Sequence, residues 1–293
     1  MRGKSFISIL LLIVVVLAGC NFNANQSKET GKSTNKVPER IISLMPSNTE
    51  VLYALGIGDK VTGVSTVDDY PKEVKQKEKF DAMHLNKEAL IKAQPDLILA
   101  HESQKATQGK VLKDLSESGI KVAYVKDAQS INEMYESFEQ IGKLTSREKQ
   151  AKSLIDETKA NIKKVTDSVS KQKKEPKVFI EIASEPEIYT AGKGTFMNDM
   201  LKQLHAKNVF DDTEGWPKVS KEQIIKKNPD VMVSTAGVST KDYQQSVKQR
   251  GGFEQIRAVK KESVVALNDD MLSRPGPRLD DAMKLLRDAI YEK

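Results

Sequence analysis

One stretch of sequence occurs twice and decides the fold: LNKEALIKAQPDLILA at residues 85–100 and VSKEQIIKKNPDVMVS at residues 219–234. In each copy a capping residue, Asn86 or Ser220, precedes Lys-Glu and an apolar run. Pro-Asp then leads into a run rich in β-formers. Each copy therefore predicts a capped helix, a break and a buried strand, and the repetition predicts two similar lobes.

Strands and helices alternate on both sides of each repeat. In the first half the predicted elements are a strand at 40–44, a helix at 46–55, a strand at 61–65, a helix at 111–118 and a strand at 121–125. In the second half they are a strand at 177–182, helices at 195–204 and 253–259, a strand at 263–267 and a helix at 278–291. This alternation over short loops predicts an α/β fold with mainly parallel sheets and helices on both faces.

A long helical pattern separates the two halves. Residues 130–172 contain no proline, carry an apolar stripe, and include a capping-box pattern at 145–148. We predict one long bridging helix over 130–172, between an N-terminal lobe at 37–129 and a C-terminal lobe at 173–293. The ligand cleft is expected between the lobes, at the carboxyl ends of the strands.

The N-terminus has the pattern of a secretory signal. Two basic residues, Arg2 and Lys4, precede an apolar run of about 12 residues, which is shorter than the ~20 residues that span a bilayer. Leu-Ala-Gly-Cys follows, ending at Cys20, the only cysteine of the 293 residues. This predicts a signal peptide at 1–19, a lipidated Cys20 and a polar tether at 20–36. The alternative is an ordinary short signal with an incidental cysteine.

Composition, charge and motifs argue against nucleic-acid binding and against an enzyme. The formal charge is +6, but lysines are interspersed with acids and aromatics make up only 5% of the chain. A nucleic-acid surface would need clustered basic residues with aromatics, so we expect no nucleic-acid partner. Residues 192–195 resemble a phosphate loop only faintly, and no Gly-x-Ser-x-Gly elbow occurs. An extracytoplasmic hydrolase remains the alternative from another class.

Several motifs in a fixed order resemble one family. They are RIISLMPSNTE at 40–50, GVSTVDDYP at 63–71, the two repeats, YTAGK at 189–193, GWPKV at 215–219 and RPGPR at 274–278. From residue 37 to the C-terminus the chain resembles the periplasmic-binding family of iron-siderophore, haem and cobalamin ABC importers, and is most similar to its cobalamin-binding branch. The resemblance implies a solute-binding protein, not an enzyme.

The resemblance gives the repeated acids a role. The family's docking acids fall on Glu88 and Glu222, which in relatives pair with arginines on two permease subunits. One exposed carboxylate on each lobe suits a two-fold partner, and charge pairs at a rim govern orientation and encounter rate. The alternative is that both acids only favour their helix N-termini, by ~0.3–1 kcal/mol each.

The resemblance also implies ligand contacts. Matching positions that keep the family's character are Pro46, Ser47, Tyr189, Trp216 and Arg274. Trp216 is expected at a loop apex facing the cleft, or else packed between loop and lobe. Arg274 is a candidate to bind an amide, phosphate or carboxylate of the ligand, or else to cap the carbonyls of its own loop. Where relatives show aromatics the chain departs, with Val67, Ala82, His101 and Met271.

His101 is a further candidate because it ends a predicted strand, where ligands bind. It is a possible ligand of a bound metal centre, and a polar loop role is the alternative. No spacing of histidines predicts a dedicated metal site, and no cofactor is expected.

The expected function is a lipid-anchored extracytoplasmic protein that captures a corrinoid and delivers it to an ABC permease dimer with a cytoplasmic ATPase. The alternative within the class is a ferric siderophore or haem carrier. We expect the protein to be a monomer.

Overall fold

The computed structural model describes residues 37–170, 175–184 and 186–292. The predicted signal peptide, Cys20 and the tether lie outside these described residues.

The N-terminal sheet has five strands, and all their pairings are parallel. They are β1 (Ile41–Ser43), β2 (Val61–Ser65), β3 (Glu78–Phe80), β4 (Leu97–His101) and β5 (Lys121–Val125). The order β3-β2-β1-β4-β5 reverses the direction of winding between β1 and β4. In such sheets the ligand crevice lies outside the carboxyl ends of the strands at this switch point.

The C-terminal sheet repeats part of this pattern. Its strands are β6 (Lys177–Ala183), β7 (Ile188–Thr190), β8 (Lys207–Asn208), β9 (Lys218–Val219), β10 (Val231–Ser234) and β11 (Val264–Ala266). The parallel order β6-β10-β11 corresponds to β1-β4-β5, with each repeat supplying the central strand of its trio. On the other side β7 is antiparallel to both β6 and β9, so the second sheet is mixed there.

Helices cover the sheets as the alternation predicts. Those of the first lobe are α1 (Pro46–Ala54), α2 (Lys87–Lys92) and α3 (Gln104–Glu117). Those of the second are α6 (Phe196–Gln203), α7 (Lys221–Lys227), α8 (Thr240–Gln249), α9 (Arg257–Lys260), α10 (Asp269–Ser273) and α11 (Leu279–Tyr291). The two-lobed α/β fold is confirmed, and α2 and α7 are the capped helices of the two repeats.

Two helices connect the lobes, so the predicted single helix over 130–172 is wrong. They are α4 (Ile131–Leu144) and α5 (Glu148–Val169), and residues 145–147 form a turn between them. The two helices pack against each other, and the longer, α5, also packs against α11.

Local hydrogen bonds explain the break. The Thr145 hydroxyl donates to the Ile141 carbonyl oxygen at 2.7 Å, inside the last turn of α4. It does not cap α5, whose N-cap is Arg147 without a side-chain cap. The Arg147 amide donates to the Gly142 carbonyl at 2.7 Å, and Ser146 takes a left-handed φ of 54°. These bonds close a tight reversal inside the stretch that the absence of proline and the apolar stripe predicted as one continuous helix.

The strands bury both faces, which is why they read as continuous apolar runs. In β4, Leu97 and Leu99 join one apolar cluster, while Ile98 joins another on the opposite face. In β10, Val233 joins the same cluster as Leu97, and Met232 lies in a third. The shared cluster also contains side chains of α4, α5 and α11. One core therefore runs through both lobes and the helices between them.

Candidate functional site

A cavity of about 320 Å³ lies at the switch point of the N-terminal sheet. Its walls come from the segments that follow β1, β2 and β5, from the last residue of β4, from α4, and from α10 of the second lobe with the two residues after it. Four of the six sequence-predicted ligand residues line it: Pro46, Ser47, His101 and Arg274. The cavity therefore lies between the lobes, at the carboxyl ends of the strands.

Pro46 and Ser47 begin α1 directly after β1. Proline at the first helical position needs no amide partner, and the N-cap Met45 provides no side-chain cap. The next residue, Asn48, is buried and lines the cavity, and its amide nitrogen Nδ2 has no hydrogen-bond partner. This wall thus offers polar N–H groups at the positive end of a helix dipole.

His101 ends β4 and is largely buried. Its Nδ1 lies 2.7 Å from the Ser103 hydroxyl, and its Nε2 lies 3.6 Å from a carboxylate oxygen of Asp127. Burial lowers the pKa of His101, and the charges of Asp127 and Glu102 oppose this only in part. The imidazole is therefore neutral at pH 7, as a hydrogen-bonding wall residue would be.

Arg274 directly follows α10, and its guanidinium contacts three carboxylates. Nη1 donates to Asp69 at 2.6 Å and lies 3.4 Å from Glu50, both in the first lobe, while Nη2 donates to Asp270. Among the described residues no loop carbonyl accepts a hydrogen bond from it. The predicted capping role is therefore not the one observed, and Arg274 instead joins the two lobes.

The two aspartates respond differently to Arg274. Burial acts to raise the pKa of Asp69, but the hydrogen bond and charge of Arg274 outweigh it, so that pKa lies below its ordinary value. Burial also raises the pKa of Asp270, where Arg274 opposes the rise and Asp69 adds to it. Asp69 is thus held ionised against the guanidinium.

A second pair across the lobes was missed by the sequence reasoning. Glu50 of α1 accepts two hydrogen bonds from Arg278, at 2.9 Å from Nε and 2.6 Å from Nη2. The Arg278 guanidinium also lies 4.1 Å from the ring centroid of Tyr70. Two features of the sequence could have indicated this pair. Glu50 is an acid inside the predicted helix at 46–55, and Arg278 is the second arginine of the motif at 274–278.

Tyr189 and Trp216 lie apart from this cavity. Tyr189 is in β7 and Trp216 precedes β9, and a backbone bond of 3.1 Å from Thr190 to Pro217 joins the two segments. Their side chains are 37% and 46% exposed, and neither lines the cavity. Four of the six predicted ligand residues therefore share this cavity, and ligand contact by Tyr189 and Trp216 stays a prediction.

Glu88 and Glu222 are exposed in the first turns of α2 and α7. The Asn86 side chain caps α2, and Ser220 with Gln223 forms a capping box on α7. Hydrogen bonds from its own amide and from Ser220 lower the pKa of Glu222. Neither glutamate makes an ion pair within the described part of the chain. Because α2 and α7 precede the equivalent strands β4 and β10, the two acids occupy corresponding edges of the lobes.

No three His, Cys, Asp or Glu side chains in the described ranges are grouped so that they could hold a metal ion. Of the helices in those ranges, none combines the length and apolar character required to cross a bilayer.

Comparison with known proteins decides the family. The family model described as periplasmic binding protein matches residues 41–271, which include both repeats and all of the cavity wall except Ser273, Arg274 and Pro275. The chain belongs to the periplasmic binding protein family.

Three relatives show the range of this family. A Bacillus subtilis (strain 168) relative is 43% identical over 96% of this chain and 95% of its own length, and is described as an uncharacterized ABC transporter substrate-binding lipoprotein, YvrC. The vitamin B12-binding protein of Pectobacterium atrosepticum is 30% identical over 83% of this chain and 85% of the relative. A crystal structure from Staphylococcus epidermidis is 62% identical, with a TM-score of 0.82 over 87% of this chain and 100% of that one. It is described as a possible iron-binding, periplasmic solute-binding protein.

Proposed function

We propose that this protein is the lipid-anchored substrate-binding protein of an ABC importer and that its ligand is a corrinoid. The observation that carries the proposal is the interlobe cavity at the β1/β4 switch point, in a chain 30% identical to a vitamin B12-binding protein. Pro46, Ser47, His101 and Arg274 would contact the ligand from the cavity wall. Exposed Tyr189 and Trp216 would offer flat faces to a large ligand outside it.

The second candidate is an iron chelate or haem. It is favoured by the 62% identical Staphylococcus epidermidis protein, which is described as possibly iron-binding. Equilibrium dialysis of the purified protein against cyanocobalamin, a panel of ferric siderophores and haem, read by absorbance, separates the two. We expect retention of cyanocobalamin. Tight binding of a siderophore or haem without any cobalamin response would replace the first candidate by the second.

We propose that Glu88 and Glu222 dock on the two permease subunits. Both are exposed, unpaired with cations in the described chain, and placed at equivalent edges of the two lobes. The double variant Glu88→Ala with Glu222→Ala should abolish cellular uptake of the ligand while leaving its affinity unchanged. The matched control is Glu157→Ala with Glu254→Ala, which removes two exposed acids elsewhere. Normal uptake by the first double variant would refute the docking role.

The lipid anchor is proposed from Cys20. The supporting observation is the lipoprotein description of the 43% identical relative, together with the Leu-Ala-Gly-Cys motif. Cys20→Ser should move the protein from the membrane fraction to the medium or the periplasm, because the acyl chains would no longer be attached. Membrane retention of the variant would contradict the anchor.

A further inference from the structure

The only arginine that lines the cavity, among the described residues, already has its charge balanced by protein carboxylates. Arg274 contacts Asp69, Asp270 and Glu50, and Glu50 is shared with Arg278. Three carboxylates thus face two guanidinium groups in this cluster. The Arg274 side chain is only 13% exposed, so water screens these contacts weakly.

The other cation of the wall is also paired. Lys126 lies 3.1 Å from Glu133 and 2.9 Å from Glu136, both on α4. The remaining ionisable wall residues are His101, whose pKa is lowered by burial, and Asp127, which has a side chain 47% exposed. In the described part of the chain, the cavity therefore presents carboxylates without a spare cation.

An anionic ligand group would find no unpaired cationic side chain on the described wall, only the N–H groups at the start of α1. To reach Arg274 it would have to displace Asp69 or Asp270, and the released carboxylate would remain close to it as a like charge. Like charges brought together in a binding site disfavour a ligand strongly, whereas amide groups and cations face no such repulsion.

We propose that Asp69 and Asp270 are specificity-determining residues that make the cavity reject anionic ligands and accept uncharged or cationic ones, by occupying Arg274. This inference rests on the proposed function, because it selects among the ligands of a substrate-binding protein. It favours an amide-rich, uncharged corrinoid or a cationic iron chelate. It disfavours haem, with its propionates, and ferric tricatecholates.

The test uses four probes of different charge with the purified protein. They are cyanocobalamin, which is uncharged overall, the cationic ferrioxamine B complex, haem, and the anionic ferric enterobactin complex. The variants are Asp69→Asn, Asp270→Asn and the pair combined. The control is Asp59→Asn, which removes an exposed acid before β2, at the opposite edge of the sheet from the cavity.

In the wild type, uncharged or cationic probes should bind more tightly than both anionic probes. The combined variant should bind the anionic probes about tenfold more tightly relative to the uncharged probe. Asp59→Asn should leave the affinity for the anionic probes, relative to the uncharged probe, unchanged. A wild type that binds cyanocobalamin but prefers haem or ferric enterobactin overturns the inference alone, as does an unchanged affinity ratio in a folded combined variant.

A second measurement needs no variant. Raising the salt concentration from about 0.05 M to about 0.5 M should narrow the preference of the wild type, because Asp69, whose side chain is 54% exposed, is open to screening by ions although Arg274 is not. A preference that does not respond to salt would overturn the charge-based explanation. Failure of all four probes to bind would refute the proposed function, and this inference with it.

Discussion

Glu50 forms a buried ion pair across the lobes that a single substitution would break. Its side chain is 2% exposed and accepts both hydrogen bonds of Arg278. Removing one member of such a pair leaves the other charge desolvated without a partner. We expect Glu50→Ala to lower the free energy of unfolding by about 3 kcal/mol in urea titrations, the lower end of the usual range because Arg278 is 21% exposed.

The matched control for this prediction is a surface pair. Glu39 lies 2.5 Å from Lys60, and its side chain is 55% exposed. Exposed pairs contribute about 0–1 kcal/mol, so Glu39→Ala should change stability by no more than that. If both substitutions lowered the free energy of unfolding equally, burial would not make the Glu50–Arg278 pair more important for stability than a surface pair.

His101 makes stability depend on pH. Burial lowers its pKa, so the folded chain binds this proton less readily than the unfolded chain, whose pKa is about 6.5. As the pH falls through about 6.5, the unfolded state takes up the proton first, and stability is lost. The wild type should therefore lose stability relative to His101→Gln between about pH 7.5 and pH 5.

Urea titrations of both proteins at several pH values measure this difference. Above about pH 7.5 the difference should be constant, because the imidazole is neutral in both states. A difference that grows in favour of the wild type on acidification would mean that the folded chain stabilises the imidazolium.

The close contact between α4 and α5 depends on a glycine. A Cβ added at Gly142 would lie 2.6 Å from the Cβ of Ala151, so the helices would have to move apart. This overpacking costs about 1–3 kcal/mol, whereas alanine is intrinsically better than glycine in a helix by about 1 kcal/mol. We expect Gly142→Ala to lower the melting temperature, and addition of Ala151→Gly to restore part of it.

Gly109 in α3 provides the opposite case. A Cβ there would meet no atom within 4 Å. Gly109→Ala should therefore raise stability by up to about 1 kcal/mol, from helix propensity alone. If both glycine substitutions raised stability, the close contact with Ala151 would not determine the effect of Gly142→Ala.

At the scale of the whole molecule, the lobes share one apolar core. The cluster that contains Leu97 and Val233 includes side chains from both sheets and from α4, α5 and α11. Lobes joined in this way are expected to unfold together. The chain has one tryptophan, Trp216, in the second lobe. Thermal unfolding followed by its fluorescence and by far-UV circular dichroism should therefore give the same midpoint. Two separated midpoints would indicate lobes that unfold independently.

The repeat at 85–100 and 219–234 was a reliable guide because its signals are local. A capping side chain, an apolar run and Pro-Asp act within a few residues of each other, so both helices and both strands follow from sequence alone. The sequence did not predict the break at 145–147. This break depends on Ser146 in a left-handed conformation and on α5 packing back along α4. The capping-box pattern at 145–148 marks a helix start close to that of α5, but it does not show that the chain turns back along α4.

By itself, the sequence determined the two-lobed α/β fold and the main parallel strands with the helices of both repeats. It did not predict the short strands β3, β7, β8 and β9 or the helices α8 and α10. Alternation, caps and apolar runs are short-range properties, and a parallel sheet brings its carboxyl ends to one edge. Only the tertiary structure decided which charges meet. Glu50 and Arg278 are 228 residues apart, and Asp69 and Arg274 are 205 apart. Their pairing depends on how the two lobes pack, because Coulomb energy follows distance in space and burial, not position along the chain.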